Sequence, residues 1–118
     1  MLLLLLACSQ TEQPPACDRM CDAAAALYGG CLTDWGADWS AAGYADEEAF
    51  VGSCGTWGWE MALLQEDAIE RGAWTDRHWL TETCDARAAA FSAEEASCSS
   101  YTEVEWNNVP WAPDDTGS

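Results

Sequence analysis

Cys17-Asp18-Arg19-Met20-Cys21-Asp22-Ala23-Ala24-Ala25-Ala26-Leu27-Tyr28 is the stretch that decides the fold class. Cys17, Met20, Cys21, Ala24, Leu27 and Tyr28 recur three and four residues apart, the period of one helical face. Asp18, Arg19 and Asp22 fall off that face. Pro15 suits the first turn of such a helix, and Gly29-Gly30 is expected to stop it. Both cysteines therefore point inward. They sit one turn apart on one helix, where their side chains are badly placed to bond each other, so each is expected to bond another element.

The same period recurs downstream. Asp46 is expected to cap a second helix, with Glu47 and Glu48 favoured by the dipole of its first turn. Phe50, Cys54, Trp57, Met61, Leu64 and Ala68 make its inward stripe, which ends near Arg71-Gly72. Gly52, Gly55 and Gly58 interrupt the stripe, each costing about 1 kcal/mol in a helix interior. They either permit close packing or break the helix, and a break or kink near Gly55 is the favoured expectation. A third helix is expected from a Thr75 cap to about Phe91, with Leu80, Cys84, Ala88 and Phe91 inward. Ser92-Ala93-Glu94-Glu95 has the pattern of a capping box, opening a short helix that carries Cys98. Tyr101–Trp106 alternates weakly, like an extended segment. Cys31–Ala45 reads as an irregular loop. The expected fold is all-α, a small disulfide-stapled bundle of three to four helices with a loose C-terminal tail.

Seven cysteines, Cys8, Cys17, Cys21, Cys31, Cys54, Cys84 and Cys98, are an odd number. If Cys8 has another role, six remain. Six in a domain of this size read as three disulfides formed in an oxidising compartment. One bridge is expected to close the loop from Cys31 to Cys54, while Cys17 and Cys21 reach Cys98 and Cys84. Zinc usually takes two close ligand pairs. Here there is one C-x3-C pair and a single histidine, His78. No C-x-x-C redox motif occurs.

Twenty-one acidic residues face four arginines and no lysine, a formal net charge of −17. Such a charge repels phosphate backbones, so nucleic acid is excluded as a partner, and a face laid on anionic lipid is disfavoured. It also keeps a protein soluble. The absence of lysine removes Schiff-base chemistry and the P-loop.

The chain opens Met1-Leu2-Leu3-Leu4-Leu5-Leu6-Ala7-Cys8. The leucine run is far shorter than the roughly 20 residues needed to span a bilayer, and no basic segment precedes it, as a secretory signal requires. A basic segment upstream of Met1 in the gene product is the expected explanation. Leu5-Leu6-Ala7-Cys8 resembles the lipobox of bacterial lipoproteins. The resemblance covers residues 1–9. It implies cleavage after Ala7, diacylglyceryl on the Cys8 sulfur, acylation (palmitate or a similar chain) of the new amino group, and attachment to a membrane through Cys8. More than one acyl chain is what stable anchoring needs. Ser9, rather than Asp, after the cysteine resembles enterobacterial signals for outer-membrane sorting. The expected organisation is a truncated signal peptide over 1–7, a lipid anchor and tether over 8–15 ending in Pro14-Pro15, a cysteine-rich helical domain over 16–106, and a flexible tail over 107–118.

Few constellations point to chemistry. His78 and Glu82 are four apart and share a helix face, which would suit half a metal site or an acid/base pair; a surface pair is the commoner meaning. Asp34 and Asp38, with Asp46, Glu47 and Glu48 nearby, carry oxygen ligands but lack the EF-hand pattern. Ser53, in Gly52-Ser53-Cys54-Gly55, lacks the G-x-S-x-G nucleophile spacing. No cofactor, metal site or catalytic residue is expected.

Eight tryptophans are the most unusual feature: Trp35, Trp39, Trp57, Trp59, Trp74, Trp79, Trp106 and Trp111. Some must fill the core. Trp35 and Trp39, among Asp34 and Asp38 in the first loop, are the candidate binding surface, because an exposed Trp is a common contact anchor. The expectation is a non-enzymatic envelope lipoprotein, an acidic Trp-rich binding or structural module for a protein or glycan. The alternative is a small exported enzyme or divalent-metal-binding protein using His78 and carboxylates.

Overall fold

A computed structural model describes residues 13–111. Cys8, the residues before it that resemble a lipobox, and residues 112–118 lie outside the described residues. Four helices follow in chain order: α1 (Pro15–Asp34), α2 (Glu47–Glu70), α3 (Trp79–Ser92) and α4 (Cys98–Thr102). The fold is all-α, as the periodicity requires, and no strand occurs among the described residues.

α1 is the hub. It packs against α2, α3 and α4, and every disulfide has one end on it: Cys17–Cys84, Cys21–Cys54 and Cys31–Cys98. Three bridges form, and Cys17 and Cys21 each reach another helix, but the pairing differs from the expected one. The reason is the length of α1. It does not stop at Gly29-Gly30 but continues to Asp34, so Cys31 is a helical residue, 3 % exposed, and not a loop residue poised over Cys54. The stop lies at Gly36, whose φ of +72° only glycine adopts without strain. There Gly36 N–H bonds the Thr33 carbonyl at 3.0 Å and Ala37 N–H the Leu32 carbonyl at 2.8 Å, satisfying last-turn acceptors. Past that turn, residues 37–45 form loops and turns, as read from the sequence.

The fully buried face of α1 in the core cluster is built from small residues, Ala16, Cys17, Cys21, Ala24 and Ala25, with Met20 its one large side chain, and Leu27 and Tyr28 pack beside it half-buried. Small side chains let backbones approach, and the Cys17 and Cys84 Cα atoms stand 4.9 Å apart. Phe50, Met61, Ala62, Leu80 and Phe91 complete the buried cluster. Few large aliphatics are buried, so the hydrophobic term is modest, and three bridges worth about 2–4 kcal/mol each carry a large share of the stability.

α2 is capped as expected: the Asp46 carboxylate accepts from Ala49 N–H at 2.8 Å. It runs unbroken through Gly52, Gly55 and Gly58 to Glu70. The expected break near Gly55 is absent because two of these glycines serve packing instead. A Cβ on Gly58 would lie 2.0 Å from Gln13 Oε1, and one on Gly55 3.4 Å from Gln13 Nε2. Leu64, placed on the inward stripe, is instead 45 % exposed, while Met61 and Ala68 of the same stripe are buried.

α3 starts at Trp79, not at a Thr75 cap. The Asp76 carboxylate takes His78 N–H at 2.8 Å, and Gln65 of α2 reaches across to accept Leu80 N–H at 2.9 Å. One orphan donor of the first turn is thus met from another helix, and the N–H of the capping residue from the loop before it. The capping box belongs to Ser97 and Ser100 and opens α4; Ser92 is still inside α3. Tyr101 and Thr102 are helical and Glu103–Trp106 is turn and loop, so the extended segment does not form. The tail expected from Asn107 joins the fold as far as Trp111: Val109 packs on the core, and the Trp111 and Trp79 rings meet edge to face at 5.0 Å.

Candidate functional site: an aromatic cleft

The two rings proposed from the sequence part company. Trp35, one residue beyond α1, is 55 % exposed. Trp39 packs against the core, 4.9 Å from the Phe50 ring and 5.8 Å from Tyr28. Gly29 makes room for it, because a Cβ there would lie 3.1 Å from Trp39 Cζ2. The glycine read as a helix stop is a seat for an indole ring.

The other sequence candidates are dispersed. His78 is exposed at the start of α3, where its carbonyl accepts Glu82 N–H at 2.9 Å. Asp38 turns back on its own loop, its carboxylate accepting Ala41 N–H at 2.9 Å, and Asp46 is the cap of α2. Among the described residues no three His, Cys, Asp or Glu side chains are grouped to hold a metal ion.

What the fold does assemble is a half-open cleft of about 150 Å3 lined by Tyr44, Phe50, Ser53, Cys54, Trp57, Tyr101 and Trp106. α2 supplies Phe50, Ser53, Cys54 and Trp57 at the i, i+3, i+4 and i+7 positions of one face. Tyr44 enters from the loop before α2. Tyr101 comes from α4 and Trp106 from the segment after it, both placed by the Cys31–Cys98 bridge that holds α4 to the end of α1. Tyr28 of α1 stacks on Tyr101 with centroids 4.7 Å apart, and Phe50 lies 5.1 Å from Tyr44 and 5.9 Å from Tyr101. Each such ring pair contributes roughly 0.5–1.5 kcal/mol beyond burial.

The far wall is fixed by polarity. Trp57 Nε1–H donates to the Trp106 carbonyl at 3.0 Å, with the rings edge to face at 5.2 Å. The Arg87 guanidinium of α3 sits 5.2 Å from the Trp57 ring centroid and 5.0 Å from that of Trp106. Burial lowers the Arg87 pKa, and its Nη1 is buried without a hydrogen-bond partner among the described residues. Arg19, Arg71 and Arg77, by contrast, pair with Asp85, Asp67 and Glu66 on the surface.

No lining residue is charged. Tyr44, Ser53 and Tyr101 bring hydroxyls, none of them engaged in a hydrogen bond among the described residues. Burial, with Tyr44 and Tyr28 adding repulsion, pushes the Tyr101 phenol up to about 12, so it is neutral and able to donate. A cavity near 150 Å3 is about the size that accepts a benzene ring. The arrangement can therefore take one uncharged ring against its aromatic walls and hydrogen-bond its edge.

Sequence reading missed Tyr44, Tyr101 and Trp106. For Tyr101 and Trp106 the one signal is the aromatic density after Cys98, and it means nothing until Cys98 is known to bond Cys31. No protein-family model matches this chain, and no curated protein or solved structure matches it.

Proposed function

We propose that this chain is a non-enzymatic binding domain of a lipid-anchored protein in a bacterial envelope, and that it holds an uncharged sugar ring of a glycan in the aromatic cleft. The observation that carries the binding role is the cleft itself: five aromatic side chains and three uncommitted hydroxyls around a ring-sized space. The envelope address rests on the lipobox resemblance at Cys8 together with three disulfides, which suit an exported protein.

Charge selects among ligands. An anion meets the net charge of −17. A cation against the same rings would lie near Arg87. Two unit charges ~8 Å apart at an effective dielectric of ~20 repel by about 2 kcal/mol, which offsets a cation–π gain of about the same size. A neutral ring pays neither penalty. Free hydroxyls at the walls favour a sugar over a plain aromatic side chain, which would leave them without a partner.

Titrating the full chain with neutral mono- and oligosaccharides, followed by tryptophan emission, tests this. Saturable binding that Ser53→Leu abolishes, with the melting temperature unchanged, supports the cleft; Ser53 is exposed, so the substitution fills the space without opening the core. Absence of saturable binding to any neutral sugar at millimolar concentration overturns the glycan assignment. Binding of an aromatic peptide instead would reassign the cleft to a protein.

A further inference from the structure

α2 is apolar on two sides. Its inner side carries Phe50, Met61 and Ala68 into the core. Its outer side, at the same helical period, carries Gly52, Thr56, Trp59 and Leu63, all exposed, with Trp59 at 48 % and Leu63 at 39 %. Between Glu48 and Glu66 the only charged residue of α2 is Glu60, off to one flank of this stripe. A surface helix normally keeps its outer side polar, and in a chain this acidic a run of about three turns without a charge, Ala49 to Trp59, stands out. A second copy of the chain is a poor occupant, because each brings a charge of −17.

The position of the tether points to another. Gln13, the first described residue, lies with its side chain against Gly58 and Gly55. The described part of the chain therefore begins beside the turn that carries Trp59. From Gln13 back to Cys8 there are five Cα steps, roughly 17 Å when fully extended. A lipid on Cys8 would thus hold the bilayer within roughly 17 Å of the middle of α2, not much more than the diameter of one helix with its side chains.

We infer that the outer face of α2, Trp59 and Leu63 foremost, rests on the uncharged interface of the membrane that holds the lipid on Cys8. The inference rests on the lipoprotein assignment proposed above. Tryptophan favours the headgroup level, where its ring is half in apolar surroundings. Among the described residues no helix is long and apolar enough to cross a membrane, so the contact is interfacial. The flanking carboxylates, Glu60, Glu66 and Asp67, require zwitterionic rather than anionic lipid. Around α2, at 100° per residue, Ser53 in the cleft is about 120° from Trp59 and Trp57 about 160° from it. The cleft then faces away from Trp59 and meets its ligand from the side of the helix turned from the bilayer.

The test uses full chain acylated in a bacterial host and reconstituted in vesicles of phosphatidylcholine with brominated acyl chains. Flotation and the mass of the Cys8 peptide report the anchor; quenching of tryptophan emission reports the face. Flotation, with most of the bromine quenching lost in Trp59→Phe and kept in Trp35→Phe, supports the inference. Trp35 is the control because α1, twenty residues and so roughly 30 Å long, separates it from the tether. Flotation with quenching unchanged in Trp59→Phe, or absent in the parent, overturns the inference and leaves the anchor standing. An unacylated Cys8 in processed protein removes the anchor and the inference with it.

Discussion

Tyr28 of α1 and Tyr101 of α4 stack with their ring centroids 4.7 Å apart and their planes 26° from parallel. The contact exists because Cys31 and Cys98 bring the two helices together, and it puts the Tyr101 phenol in surroundings that resist ionisation. Burial comes first, and the Tyr44 and Tyr28 hydroxyls add to it, placing its pKa at about 12 against an ordinary 10.

An alkaline loss of stability follows. Above pH 10 the unfolded chain releases the Tyr101 proton while the folded one keeps it. The unfolded state then binds fewer protons, and stability falls with pH. The loss begins near pH 10 and levels off near pH 12. Urea midpoints across this range should fall less steeply for Tyr101→Phe than for the parent. Equal slopes would show that this phenol titrates normally.

The bridges should rank by the chain they close. Cys17–Cys84 and Cys31–Cys98 each span 67 residues and Cys21–Cys54 spans 33. Chain-entropy estimates put them at about 4.4 and about 3.7 kcal/mol. Replacing both partners of Cys17–Cys84 by alanine should lower the melting temperature by more than 10 °C, given about 4–8 °C per kcal/mol in a domain of this size. Non-reducing peptide mapping should recover the three pairs seen here; a Cys31–Cys54 peptide would contradict the fold.

Trp35 and Trp39 should behave as unlike residues. Trp39→Ala removes a ring from Phe50, Tyr28 and Gly29 and should cost about 3 kcal/mol. Trp35→Ala, at an exposed site, should stay within about 0.5 kcal/mol. Thermal melts of the two variants decide this, and similar losses would place both rings in the core.

The α2 glycines should also split. Gly52 has open space where a Cβ would go, so Gly52→Ala should stabilise by about 1 kcal/mol through helix propensity. Gly58→Ala meets Gln13 and should gain less or lose, and removing the whole side chain, including its Cβ 3.2 Å away, with Gln13→Gly should restore the gain. A Gly58→Ala variant as stable as Gly52→Ala would show that Gln13 does not hold that position.

Much of the fold was legible because helices announce themselves locally. Cys17 through Tyr28 carries its 3.6-residue period openly, and Asp46 with Glu47 and Glu48 is a start signal that needs no other part of the chain. Stops were harder. Gly29-Gly30 and Gly36 look alike as letters, and only Gly36 has the positive φ that ends a helix; Gly29 is small so that Trp39 can approach. The start of α4 was not legible, because Ser92 with Glu95 fits the capping-box pattern whereas the actual pair, Ser97 with Ser100, lacks its Glu or Gln, and α3 runs on through Ser92. The cleft was not legible at all, since Tyr44, Trp57 and Trp106 meet only after α1, α2 and α4 are bridged.

The sequence by itself determined a helical, acidic, three-disulfide domain, because periodicity, charge and the count of cysteines are properties of the chain read in order. Which cysteine bonds which, which tryptophan is covered, and where the cleft lies were decided by tertiary structure. The physical reason is α1. Its continuation through Gly29-Gly30 to Asp34 adds more than a turn, about 6 Å at 1.5 Å per residue, and carries Cys31 from the reach of Cys54 to that of Cys98. Local propensity is nearly indifferent to that one extra turn. The packing of Trp39 on Gly29 and the burial of Cys31 and Leu32 settle it, and these are contacts between residues that the sequence alone does not bring together.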